Sequence, residues 1–79
     1  MHGDNDTYSP PGARVRELRL AASTSQTALA RKMTGKGFRW HQTTVNRIES
    51  GSQHLTIEEA AALAGIFSVP LESLAGVPS

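Results

Sequence analysis

Gln42, Thr43, Asn46 and Arg47 lie in the run QTTVNRIES, where Val45 and Ile48 are the only apolar side chains. A carboxamide carries both a donor and an acceptor, a guanidinium is a fork of donors, and a threonine adds a hydroxyl and a methyl. These groups match the edges of base pairs. Gln pairs with adenine through two hydrogen bonds, Arg pairs with guanine in the same way, and a Thr methyl meets the thymine methyl. Other chemistries lack their residues. His2, His41 and His54 are far apart and have no carboxylates at ligand spacing, so no metal site is expected. Gly35-Lys36-Gly37 lacks the rest of a phosphate-binding loop and reads as a turn. No Ser, His and acid constellation has supporting context, and the chain has no Cys for a disulfide or a thiolate zinc site. Neither an enzyme nor a cofactor is expected.

The charge distribution points the same way. Net charge is only +1, yet every Lys and Arg lies between Gly12 and His54: Arg14, Arg16, Arg19, Arg31, Lys32, Lys36, Arg39 and Arg47. Only Glu17 and Glu49 oppose them there, so the block carries +6 while the remaining acids lie outside it. Such segregation in a near-neutral protein is the footprint of a polyanion binder. At 79 residues the chain is one domain at most, too small for a catalytic cleft with its own supporting shell. Its longest apolar run, around Ala60 to Ala64, is far too short to span a bilayer, and the polar start has no signal-peptide core. A cytoplasmic protein is expected.

The elements that must position the quartet are helices, because no period-2 run appears. Residues 1–8 are polar and acidic and read as a flexible arm; residues 9–76 read as the domain and 77–79 as a tail. Ser9 before Pro10 and Pro11 opens a first helix running to about Ala22, with Val15, Leu18 and Ala22 on one face. Ser25 caps a second, Gln26 to about Thr34, with Ala28, Leu29 and Met33 inward, and Gly35 and Gly37 end it. The third, Gln42 to about Ser50, has Val45 and Ile48 as its seam and Gly51 at its left-handed end. Thr56 and Glu59 form a capping box before a fourth helix carrying Ile57, Ala60, Ala61, Leu63, Ala64 and Phe67. A short fifth follows Val69-Pro70, with Leu71 and Leu74 turned inward. The expected fold is all-α: five short helices around one small core.

Helix two, a turn, and a polar helix three with a narrow apolar seam make a helix-turn-helix, whose third helix can rest in a DNA major groove. The segments RVRELRLAAS, SQTALARKM, QTTVNRIESG and TIEEAAALAGIF, in that order, resemble the Cro/C1-type (xenobiotic-response-element) family of phage repressors and bacterial regulators. The resemblance covers about Gly12 to Gly76 and implies a Cro/C1 repressor-like domain. It implies that Gln26 touches phosphate and braces Gln42, and that Gln42, Thr43, Asn46 and Arg47 read bases. It also implies a partly buried ion pair between Arg19 and Glu49, tying helix three to helix one.

The departure from the family lies between helices two and three. The chain is longer there than the common pattern, with the excess in Thr34 to Phe38. Trp40 stands where a small aliphatic residue is usual, and His41 falls on the cap position of helix three. A longer turn needs pinning, and Phe38 and Trp40 are the available anchors, wedged against helices two and three. Arg39, between them, points the opposite way and with Lys36 reaches phosphate, while His41 can cap the helix or, when charged, donate to phosphate.

Two functions from different classes fit these residues. One is a sequence-specific regulator of transcription, a repressor in type, bound to double-stranded DNA as a homodimer on a two-fold operator. The other is a protein-interaction or antitoxin-like module that uses an apolar surface around Val69, Leu71, Leu74 and Val77.

Overall fold

A computed structural model describes residues 11–75. The N-terminal arm 1–8, the Ser9-Pro10 helix start, Gly76, Val77 and the rest of the tail lie outside the described residues. The chain forms α1 (Pro11–Ala21), α2 (Gln26–Gly35), α3 (Gln42–Ser50), α4 (Ile57–Phe67) and α5 (Glu72–Ala75). There is no strand among the described residues, and no helix there is long and apolar enough to cross a membrane.

Short polar side chains start the helices. The Ser25 hydroxyl accepts from Ala28 N at 3.0 Å, satisfying one of the free amides of α2. Thr56 Oγ1 accepts from Glu59 N at 3.1 Å while Glu59 Oε1 accepts from Thr56 N at 2.9 Å, a complete capping box on α4. Four helices end alike, with a left-handed residue and two backbone bonds folding back over the last turn. At α2 the left-handed residue is Gly37 (φ 98°), with Gly37 N donating to Thr34 O and Phe38 N to Met33 O. Gly51 plays that part for α3, and Ser23 and Ser68 play it for α1 and α4.

Val15, Leu29, Ala30, Met33, Trp40, Val45, Ile48, Ala60, Leu63, Ala64 and Leu74 make the core. The helix carrying the polar quartet is held from two sides, since α1 and α2 both pack broadly on α3. The α1 contact is close enough to require glycine: a Cβ on Gly12 would lie 2.0 Å from the carbonyl oxygen of Ile48. Arg14 Nε, donating to Ser73 O at 3.2 Å, ties α1 to the start of α5.

Several inward assignments differ from the sequence expectation. Ala22 falls beyond the end of α1 and is exposed, and on α2 Ala30 joins the core while Ala28 is only half-buried. Ile57 shares a face with Ala60 by spacing, but in the first turn of α4 it lines a shallow hollow with Pro11, Leu55 and Leu74, and among the described residues it stays 62% exposed. Ala61 faces solvent. Leu71 precedes α5 and is exposed, so Leu74 alone plugs the core there. With Leu74 fully buried and Val69 half-buried, the apolar surface expected on the last helices shrinks, among the described residues, to Leu71.

Candidate nucleic-acid interface

The sequence of α3 leaves one broad polar face free. Val45 and Ile48 are buried, which rotates Gln42, Thr43, Asn46 and Arg47 outward, and all four are exposed. Thr44, on the flank, is half-buried and structural: its hydroxyl accepts from His41 N at 3.1 Å. The His41 imidazole itself caps nothing; its backbone carbonyl begins the helix ladder and its ring is exposed. Of its two expected roles, only the one toward an external anion is free.

Behind the exposed face runs a continuous polar network. Arg19 donates from Nε to Glu49 Oε2 at 2.7 Å and from Nη2 to Glu49 Oε1 at 3.1 Å, a bidentate pair between α1 and α3. Arg19 Nη1 also donates to Thr24 O at 2.9 Å, so each of the three guanidinium nitrogens makes a hydrogen bond. The hydrogen bond to Glu49 raises the Arg19 pKa above its ordinary value; burial opposes this, and the charge of Glu49 adds to it. Glu49 Oε1 takes a further bond from Gln26 Nε2 at 3.1 Å, and Gln26 Oε1 accepts from Gln42 Nε2 at 2.6 Å. Arg16, Arg19, Gln26, Asn46 and Glu49 line a shallow depression of about 260 Å³ over this network. The bond from Gln26 to Glu49 has no sequence signal, because its partners are brought together only by the packing of α2 against α3.

The lengthened turn is ordered from both ends. Its first half is the left-handed exit of α2 through Gly37, which returns Phe38 toward the helix, where its ring packs half-buried against the core. Trp40 is only 5% exposed and belongs to the core. Its indole Nε1 donates to Glu59 Oε2 at 3.0 Å, so the turn is fastened to the start of α4 as well as to the helices beside it. The sequence carries no signal for that tie, since Glu59 reads there as a capping residue alone. Thr34 Oγ1 lies 3.0 Å from Ala30 O and 3.2 Å from Trp40 O, closing the loop on α2. With Phe38 and Trp40 drawn in, Lys36 and Arg39 are left exposed, as is His41.

Among the described residues no group of His, Cys, Asp and Glu is placed to hold a metal. No curated protein and no solved structure gives a match to the chain. A family profile described as helix-turn-helix does match, over residues 15–74. The match takes in both partners of the Arg19–Glu49 pair, the whole of α2 and α3 with the long turn between them, and the buried faces of α4 and α5. A DNA-binding, non-enzymatic domain therefore fills most of the sequence. The chain belongs to the Cro/C1-type helix-turn-helix family of DNA-binding proteins.

Proposed function

We propose that the protein is a sequence-specific regulator of transcription, repressing in type, that lays α3 in the major groove of double-stranded DNA. The observation that carries this reading is the exposed quartet on a helix braced from behind. Thr43, Asn46 and Arg47 have free polar ends and Gln42 gives one N–H to Gln26, while the helix beneath them is fixed by Val45, Ile48 and the Glu49 ion pair. Direct readout needs both the matching groups and a rigid mount. In this account Gln26, Lys36, Arg39 and His41 contact phosphate, and the turn carries its cations to the backbone beside the groove. Two copies bind a two-fold site with half-sites about one helical turn apart, as the geometry of helix-turn-helix dimers requires. The protein works in the cytoplasm, on DNA.

Selection from a random duplex library tests this. An enriched, roughly palindromic sequence supports the reading and reports the half-site spacing. No enriched sequence would overturn it in favour of a protein-interaction module, a role for which the buried Leu74 leaves little apolar surface.

A further inference from the structure

The Glu49 carboxylate meets a second partner besides Arg19, and that partner touches the base-reading face. An ionised carboxylate only accepts hydrogen bonds. The Gln26 atom 3.1 Å from Glu49 Oε1 is therefore its amide nitrogen, which turns the Gln26 oxygen toward Gln42. The Gln42 atom 2.6 Å from that oxygen must then be a donor, its own amide nitrogen. Each step follows from the one before, starting from a group that Arg19 holds in place through two hydrogen bonds. Neither carboxamide is free to flip. What Gln42 presents outward is then fixed: its oxygen, and the one N–H not given to Gln26.

We infer that Glu49 is a specificity-determining residue, acting through Gln26 to set which end of the Gln42 carboxamide faces the DNA. This rests on the proposed reading that Gln42 meets a base. One acceptor beside one donor complements the adenine edge, which offers N6–H and N7. Guanine offers two acceptors, O6 and N7, and would require both N–H groups of the amide, one of which is committed to Gln26. The relay thus favours adenine over guanine at one position of the site. Glu49 is a positioning residue and touches no DNA itself; its side chain is 5% exposed.

The test measures the ratio of affinities for two duplexes that differ only by an A·T to G·C change under Gln42. The duplex is the one enriched from the random library, and the position is the one at which Gln42→Ala loses its preference. Glu49→Gln lets the Glu49 position donate as well as accept, and Gln26→Leu cuts the relay while leaving the ion pair intact. Each is expected to lower the adenine preference by roughly tenfold, the order of one bidentate base contact. The double variant is expected to match Gln26→Leu alone, because both changes break one chain. A merely structural role for Glu49 would weaken binding to both duplexes equally and leave the ratio unchanged, and that result overturns the inference while Gln42 keeps its role. If Gln42→Ala relaxes no position, the proposed reading itself fails and the relay has nothing to orient. Should Glu49→Gln fail to fold, Glu49→Asp keeps the charge for Arg19 and withdraws the oxygen from Gln26. An unchanged ratio in that variant is equally decisive against the relay.

Discussion

Replacing Trp40 by alanine should remove much of the stability of the domain. The ring is 5% exposed and sits in the core beside residues from α2, α3 and α4. A tryptophan buries about 200 Å², which at about 25 cal/mol per Å² gives an upper bound of roughly 5 kcal/mol. Alanine keeps only Cβ and leaves a cavity, and measured large-to-small changes of this kind cost about 3 to 5 kcal/mol. A domain this small is expected at the low end of the usual range, about 5 kcal/mol, so the variant should be close to unfolded. Trp40→Phe separates packing from polarity. It keeps most of the ring and deletes the 3.0 Å donor to Glu59, whose half-buried carboxylate can turn to water. The expected cost is about 1 kcal/mol, or roughly 4 to 8 °C in melting temperature. Urea unfolding followed by far-ultraviolet circular dichroism reads both variants without relying on the lost fluorophore. A Trp40→Ala protein within about 1 kcal/mol of the parent would refute the idea that the aromatic fastens the turn.

Other perturbations address the remaining parts. Gly12→Ala forces a Cβ against the backbone of Ile48 and should cost about 1 to 3 kcal/mol in thermal melting, because a carbonyl cannot move aside as a side chain can. Arg19→Ala should cost about 3 kcal/mol, since it strands the Glu49 carboxylate just below the surface, and urea unfolding checks it. Lys36→Ala and Arg39→Ala should weaken binding to all duplexes alike and each lower the salt slope by about 1, whereas Arg47→Ala should lose about 1 to 3 kcal/mol at the preferred site only. Identical behaviour of Lys36→Ala and Arg47→Ala on preferred and random duplexes would erase the distinction between positioning and reading residues.

How much of this was legible depends on whether a signal is local. The ends of α3 are plain in the sequence, because Gly51 marks the left-handed exit and Val45 with Ile48 marks the buried seam. The exits of α1 and α4 are built the same way but on Ser23 and Ser68, at φ 53° and 57°, and serine announces no such conformation. Glu59 shows the same divide. Its capping bond to Thr56 is visible as a three-residue spacing, whereas its second oxygen meets Trp40 nineteen residues away. Burial near an element's end was the least legible property. Ile57 and Leu71 have the right spacing for a core face, but each lies at an element's boundary and, among the described residues, stays exposed. At the candidate interface, periodicity separates the outward quartet from the seam. The Gln26 bond to Glu49 requires the packed structure, since nothing in either helix alone brings the two side chains within 3.1 Å.

The proposed function requires the exposed face of α3 to discriminate between base sequences. It is tested most directly by titrating the library-selected duplex and a scrambled duplex of equal length at two salt concentrations. The selected duplex should be preferred at both salts, with affinity for each falling as salt rises and the gap between them persisting. Equal binding to the two duplexes, vanishing together as salt rises, would mean that only the basic block is engaged and would contradict the account.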